Sequence, residues 1–269
     1  KEGAWEKGKR SHEIMAAMDE CLVSDRFRLP RPLGASKEDL VLVEERLSGK
    51  TLFETVVSSR ADHAADALRL AAQWIATLHN CRLRVTRVNE FTEIEPGRLD
   101  WYLKDMRDQR HPHYDRAKDL MEHVLTMEQA VCGGREADLV QGHGDFHPKN
   151  IFIGEDEKGM YGGAVDLDSS YVVHPAFDVG TFLAQFMNQF YYEPEVLDKV
   201  SGELFLQEYM KQADDIGADF ISLVNLFKAR CCLSILYYLV KVGLGDSENF
   251  WHVLVEAERS LTHARFSES

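Results

Sequence analysis

Three oxygen-bearing side chains near the middle of the chain have the types and spacing of a magnesium site that acts on phosphates. Asp145 and Asn150 lie in one short loop-like segment, and Asp166 follows an apolar run further on. Two apolar runs, 151–153 and 163–167, flank a polar segment, and this pattern predicts a β-hairpin with a polar tip. Such a hairpin would bring the three side chains to one edge. Their carboxylate and amide oxygens suit Mg²⁺, which completes its coordination with phosphate oxygens and water.

The segment HGDFHPKN at 143–150 resembles the H-G-D-x-H-x-x-N loop of the aminoglycoside phosphotransferase and choline kinase family. In the protein-kinase-like superfamily that contains this family, Asp166 stands where the metal-binding aspartate of the D-F-G motif stands. The resemblance implies transfer of the γ-phosphoryl group of ATP or GTP to a hydroxyl of a small molecule. Asp145 would be the catalytic residue that accepts or orients the hydroxyl proton. Asn150 and Asp166 would hold Mg²⁺ against the phosphates.

The same resemblance implies a kinase-like α+β fold with two lobes. Residues 1–48 would form an incomplete N-terminal lobe that ends in a hinge, and residues 49–269 a mainly helical C-terminal lobe with the catalytic loop and the metal-binding hairpin. By the register of the segment ERLSG, the carbonyl of Glu45 and the amide of Leu47 would bind the adenine edge. The alternative for this segment is a strand that ends in an ordinary turn.

A kinase-like small lobe should begin with a glycine-rich hairpin and a strand lysine, and neither stands before Lys1. Either an N-terminal stretch is omitted or the protein has lost its phosphate lid. Lys1 itself could be the strand lysine, with Glu13 as its partner on the following helix, and both would then bind the nucleotide. The alternatives are an arbitrary first residue and a solvated glutamate favoured by the helix dipole.

Helices predicted at about 98–109 and 114–131 precede the catalytic loop. In members of the family such helices help to shape the acceptor site, so Trp101, Tyr102, Asp105 and Asp108 are candidates for substrate contact. The alternative is that the aromatic side chains pack against the protein and the aspartates are solvated.

Four further polar residues have structural interpretations. His143 and His147 are expected to brace the loop backbone, since the neighbouring glycines and Pro148 argue against the helix that a zinc motif would need. Asp178, in the family-like segment HPAFDVG, is predicted to be a structural acid that accepts hydrogen bonds from the catalytic-loop backbone. His79 ends an apolar helix stripe and is assigned a packing or capping role.

The composition is that of an ordinary globular protein: 269 residues, 45% hydrophobic and 28% charged, with a net charge of −14. This charge disfavours nucleic acid and anionic membranes as partners and suits a cationic small molecule.

The five cysteines lack a regular spacing, and we predict no disulfide framework and a reduced cytoplasmic location. No signal peptide opens the chain, and the apolar run 231–240 is too short to span a membrane. The sequence does not predict the oligomeric state.

Two other functions remain as alternatives. A nucleotide-binding pseudokinase would explain the absent phosphate lid, but the intact Asp145, Asn150 and Asp166 count against it. A protein kinase is disfavoured by His147 and by the absence of an Ala-Pro-Glu activation segment after Asp166.

Overall fold

The computed structural model describes residues 2–22, 24–132 and 135–266 of the chain, and only the backbone of residues 2–4 and 132. The α-helices of these residues are α1 Glu2–Asp19, α2 Leu52–Ser58, α3 Ala61–Asn80, α4 Glu90–Asp108, α5 Tyr114–Cys132, α6 Ala176–Gln189, α7 Pro194–Lys199, α8 Gly202–Gln212, α9 Phe220–Lys241 and α10 Glu248–His263. The strands are β1 Phe27–Arg28, β2 Pro32–Ser36, β3 Val41–Glu44, β4 Lys50–Thr51, β5 Val140–Gln141, β6 Ile151–Asp156, β7 Gly159–Ala164 and β8 Val172–Val173.

The predicted hairpin is the centre of the larger sheet, whose strand order is β1-β7-β6-β4. Strands β6 and β7 pair antiparallel from Ile151 opposite Ala164 to Asp156 opposite Gly159. The turn is tighter than the sequence predicted. Gly159 adopts a φ of +107°, which glycine tolerates without steric cost, so the second strand begins there and ends before Asp166. Strand β1 adds in parallel to β7, and β4 adds antiparallel to β6.

Helix α3 supports both the sheet and the catalytic loop. Its apolar stripe is buried as predicted, and Gly162 of β7 lies against Leu70. The indole of Trp74 stacks on the ring of Phe146, with centroids 5.7 Å apart. Because Phe146 belongs to the catalytic loop and is fully buried, this stack fixes the depth of the loop in the protein.

Helix α9 is the central helix of a second apolar core, shared with α4, α5 and α10. This helix is long and apolar enough to cross a membrane: an 18-residue stretch within Phe220–Lys241 has a mean hydropathy of 1.5, and 72% of that 18-residue stretch is buried inside the protein. The run 231–240, predicted to be too short to span a membrane, is part of this longer helix. Burial against neighbouring helices is the usual environment of a core helix that is apolar on all sides.

Two of the cysteines form a disulfide bond that the sequence did not predict. Cys21, after the end of α1, and Cys81, after the end of α3, form a disulfide bond with a Cα–Cα distance of 6.1 Å. The expectation of no disulfide is therefore wrong for this pair. Spacing could not predict the bond, because its partners are 60 residues apart and meet only through the packing of two helix ends. Cys231 and Cys232 are free and buried.

Candidate active site

The catalytic loop is fixed to the protein by one buried carboxylate at the start of α6. Asp178 is fully buried, and it accepts hydrogen bonds from the amide of His143 at 2.7 Å and the amide of Gly144 at 2.8 Å. Burial alone would raise the pKa of Asp178, but hydrogen bonds from His79 and from the loop backbone outweigh it and lower the pKa. The predicted structural role of Asp178 is confirmed.

A third partner of Asp178 was missed by the sequence analysis. His79 is buried in α3, with its Nε2 3.0 Å from Asp178 Oδ2 and its Nδ1 2.8 Å from the hydroxyl of Tyr209. Burial raises the pKa of Tyr209, so its hydroxyl stays protonated and donates to Nδ1. The histidine then donates from Nε2 to the carboxylate. His79 is thus part of a buried chain of hydrogen bonds that positions the catalytic loop.

Asp145 lies half-buried in the loop, with 41% of its side chain exposed. Asn150 donates from Nδ2 to the Asp145 carbonyl at 3.0 Å and to Asp145 Oδ2 at 3.4 Å, and His147 Nε2 lies 3.6 Å from the same Oδ2. Burial opposes ionisation of Asp145, but His147, His143 and Asn150 together lower its pKa. The carboxylate is therefore charged at neutral pH and able to orient a hydroxyl donor.

The other two predicted ligands both lie at the base of the hairpin. The amide of Val165 donates to the Asn150 carbonyl at 3.0 Å, which places Asp166, the next residue, beside Asn150. Asp166 has a φ of +66°, a left-handed conformation that is uncommon outside glycine and that aspartate adopts more readily than most residues. Such backbone strain is frequent at functional sites.

The donor set of this site fits magnesium. The amide nitrogen of Asn150 is occupied by Asp145, so its oxygen is the atom left to bind a cation. Together with Asp166 it offers two hard oxygen ligands, and phosphate oxygens and water complete such sites. In the described ranges, no three or more His, Cys, Asp and Glu side chains gather into a metal-binding group.

The two loop histidines have different surroundings. His143 is fully buried, with edge contacts to Trp74 and Phe146, and its Nδ1 accepts from the amide of Asp145 at 3.3 Å. Burial lowers the pKa of His143, so this ring is neutral. His147 is only partly exposed and lies beside Asp145. Both positions agree with the bracing role expected for them.

The hinge segment lies against the far strand of the hairpin. The side chain of Leu47 packs so close to Gly163 that an added Cβ there would lie 2.8 Å from Leu47 Cδ1. Glu45 receives a hydrogen bond at Oε2 from Arg31 Nε at 2.8 Å, and its amide donates to the Arg31 carbonyl. In the described part of the chain, the Glu45 carbonyl and the Leu47 amide make no backbone hydrogen bond outside the sheets. These are the two groups predicted to bind the adenine edge.

Three aromatic side chains of α4 and α9 contact one another, and we call them the aromatic group: Trp101, Tyr102 and Tyr237. Tyr237 lies 4.7 Å from Trp101 and 5.1 Å from Tyr102 between ring centroids. Burial raises the pKa of Tyr102, and the charge of Asp145 adds to the shift, so the aromatic group lies within electrostatic range of the catalytic loop. Tyr237 was not predicted, because it comes from α9, far along the chain.

The two predicted aspartates of α4 differ in their surroundings. Asp108 is exposed and forms an ion pair with Lys104, whereas Asp105 is half-buried. Asp108 therefore has the solvated environment that was considered as the alternative to substrate contact. Asp105 stays a candidate for substrate contact.

Comparison with known proteins decides the family. The model of the phosphotransferase enzyme family (APH) matches residues 4–211, well over half of the chain. The chain belongs to this phosphotransferase family. The membership supports a small-molecule phosphotransferase. Among curated proteins, none matches the chain.

Solved structures of small-molecule kinases share the fold of this phosphotransferase. Ethanolamine kinase from Plasmodium vivax has a TM-score of 0.59 at 15% identity, over 96% of this chain and 71% of that one. Choline kinase from Cryptosporidium parvum has a TM-score of 0.59 at 12% identity, over 94% and 77%. An aminoglycoside phosphotransferase in complex with GDP and kanamycin has a TM-score of 0.57 at 15% identity, over 97% and 83%. These likenesses confirm the kinase-like α+β fold, with a small sheet followed by a helical lobe.

Two residues near the N-terminus, Lys1 and Glu13, were predicted to bind the nucleotide. Lys1 lies outside the described residues. Glu13 lies on the exposed face of α1 and forms an ion pair with Lys9 at 3.3 Å, a different partner from the predicted one. Lys7 of the same helix instead reaches Asp168, with Nζ 3.1 Å from Oδ2. Helix α1 therefore contacts the segment that follows Asp166, a contact that the sequence did not indicate.

Gly144 is a position where the phosphotransferase loop should tolerate no side chain. It has a φ of +87°, and an added Cβ would lie 1.7 Å from the carbonyl oxygen of Ser169. We expect Gly144→Ala to destabilise the protein by about 2 kcal/mol or more, because it combines backbone strain with a collision against main chain. Urea denaturation would measure the loss.

The control for this variant is Gly97→Ala, because Gly97 lies in α4 with open space around it. That substitution should stabilise the protein slightly, by up to about 1 kcal/mol, through its higher helix propensity. Equal stability of the two variants would contradict the close approach of Gly144 to Ser169.

Proposed function

We propose that this protein transfers the γ-phosphoryl group of ATP or GTP to a hydroxyl of a small cationic molecule, with Mg²⁺ as cofactor. The observation that supports the proposal is that Asp145 and Asn150 are hydrogen-bonded to each other on a loop held by Asp178, while the Asn150 carbonyl accepts from the residue before Asp166. Phosphoryl transfer asks little covalent chemistry of a protein and depends on positioning and on neutralising charge. A rigid loop that presents a charged carboxylate beside two metal ligands meets both needs.

In this proposal each residue has a separate task. Asp145 orients the acceptor hydroxyl and takes its proton as the bond to phosphorus forms. Asn150 and Asp166 would hold Mg²⁺, which neutralises charge on the phosphates when bound. The Glu45 carbonyl and the Leu47 amide would bind the base edge of the nucleotide, since in the described part of the chain neither makes a backbone hydrogen bond outside the sheets.

The cationic nature of the acceptor is supported by the aromatic group. Trp101 is 51% exposed and lies next to Tyr102 and Tyr237, and the charge of Asp145 contributes to raising the pKa of Tyr102. Aromatic faces attract ammonium groups through their quadrupole. Among the similar solved structures are an ethanolamine kinase, a choline kinase and a phosphotransferase in complex with kanamycin. Ethanolamine, choline and kanamycin all carry both a cationic nitrogen and a hydroxyl group. The net charge of −14 favours the same class.

The test is a substrate panel with the full chain. Mg-ATP and Mg-GTP are each combined with ethanolamine, choline, kanamycin and, as uncharged controls, glycerol and ribose. We expect nucleoside diphosphate release together with a phosphorylated amine that mass spectrometry identifies. Nucleotide binding without product from any acceptor would favour the pseudokinase alternative. Phosphorylation of the uncharged acceptors at equal efficiency would contradict the cationic class.

A variant of the aromatic group tests the acceptor site directly. Trp101→Ala should raise KM for the cationic acceptor by about fivefold through loss of a cation–π contact, with KM for nucleotide unchanged. Trp251→Ala is the matched control, since Trp251 is exposed to a similar degree on α10 and contacts Arg116 instead. If both variants change KM for the acceptor equally, the aromatic group is not the acceptor site.

A further inference from the structure

A second cavity lies apart from the active site. It has a volume of about 330 Å³ and lies between α4, α5 and β8, with apolar walls formed by Phe91, Leu125, Val172 and Phe227. This volume is within the usual range for small-molecule sites. The cavity shares no lining residue with the aromatic group, the hinge or the catalytic loop.

One wall of this cavity carries buried charge. Glu95 and Glu128 both line it, with 2% and 12% of their side chains exposed. Arg230, which is 8% exposed, contacts both acids, with Nε 3.1 Å from Glu128 Oε1. Arg98 adds a contact to Glu95 from a more exposed position, 3.0 Å away. Two buried carboxylates therefore share one buried guanidinium.

The hydrogen bonding of these carboxylates is incomplete. Within the described ranges, neither oxygen of Glu95 nor Oε1 of Glu128 accepts a hydrogen bond of good geometry, despite the nearby guanidinium groups. Buried carboxylates are normally satisfied by hydrogen-bond donors, because desolvation without them is costly. Burial raises the pKa of Glu128 to about 8, which indicates that its surroundings do not fully compensate the charge. Both carboxylates thus line the cavity, whereas Arg230 and Arg98, which pair with them, lie behind its wall.

We propose that this cavity is a second binding site, for a small apolar amine. The ammonium group donates to Glu128 and Glu95, and the apolar body fills the space between Phe91, Leu125 and Phe227. This inference is independent of the proposed function, since no catalytic residue takes part. Strand β8, whose Val172 lines the cavity, pairs with β5, the strand that leads into the catalytic loop.

Benzylamine is the probe, and benzyl alcohol is its neutral counterpart of similar shape. Titration calorimetry with the full chain at pH 8.5 is suitable, because Glu128 is then largely ionised. His174, also on the wall, is neutral at this pH, since burial lowers its pKa to about 4. We expect saturable binding of benzylamine at least about fivefold tighter than that of benzyl alcohol, from the added charge contact. Equal affinity of the two compounds, or no binding of benzylamine, would overturn the proposal.

Amino-acid substitutions test whether benzylamine binds in this cavity. Glu128→Gln should weaken benzylamine binding about fivefold, whereas Glu122→Gln, on the exposed face of the same helix, should leave it unchanged. Leu125→Trp should block the site by filling it, which keeps the test valid even if Glu128→Gln folds poorly. Asp145→Asn and Trp101→Ala should leave the affinity as it is. Loss of benzylamine binding in Trp101→Ala would assign the amine to the acceptor site instead and overturn the second site.

Discussion

Replacing Asp145 with asparagine should lower kcat by about 100-fold or more, because the hydroxyl acceptor loses the carboxylate that orients it and takes its proton. The affinity for Mg-nucleotide should stay close to that of the wild type, since Asn150 and Asp166 hold the metal in our proposal. Steady-state kinetics with the acceptor identified by the panel, together with titration calorimetry of Mg-ATP, measures both quantities.

Asp166→Ala is the informative partner of this variant. It removes one of two protein ligands, so both turnover and the affinity for Mg-nucleotide should fall, and excess Mg²⁺ should restore part of the affinity. Asp119→Asn, an exposed change on α5, serves as the control and should alter neither quantity. An equal loss of nucleotide affinity in the Asp145 and Asp166 variants would contradict the separate roles that we assign.

For the Asp145 variant, the size of the decrease in kcat is less informative than which parameter changes, kcat or the affinity for Mg-nucleotide. If the transition state is loose, proton removal lags behind cleavage of the bond to the leaving group, and a general base contributes less to the rate. The expected signature is therefore a loss in kcat with retained nucleotide binding. A variant that only damaged the fold would lower both together.

The sequence predicted those parts of the site whose residues lie near one another along the chain. The hairpin follows from two apolar runs around a polar tip, and it alone places Asn150 beside Asp166 through the pairing of Ile151 with Ala164. A short connection leaves few arrangements of a loop and the hairpin that follows it. The role of Asp178, 35 residues beyond His143, came instead from the resemblance of the segment HPAFDVG to the family.

Contacts between distant segments were not predictable in this way. His79 and Asp178 are 99 residues apart, and Cys21 and Cys81 are 60 apart, so only the packing of α3 against other elements brings each pair together. The buried contact of Arg230 with Glu95 is of the same kind. In the sequence, a histidine or a glutamate on an amphipathic helix has the same pattern whether it faces solvent or a buried partner.

The largest stability effect is expected at Asp178. Asp178→Ala removes the acceptor of two loop amides and of His79, and it leaves these donors buried without a partner. Breaking a buried, hydrogen-bonded charge in this way costs about 3–5 kcal/mol, more than the loss of any one exposed ion pair. Urea denaturation should show this decrease in the free energy of unfolding, and turnover should fall because the loop that carries Asp145 loses its anchor.

A second variant separates the anchoring role from simple loss of volume. Asp178→Asn keeps the size of the side chain but turns one of its two acceptors into a donor, so it can satisfy one loop amide and must oppose the other. We therefore expect Asn to recover only part of the stability lost with Ala. Asp198→Ala, an exposed change on α7, should stay within about 0.5 kcal/mol of the wild type. Full stability and turnover in Asp178→Asn would mean that the carboxylate only fills space, and the loop would then owe its position to the stack of Phe146 on Trp74.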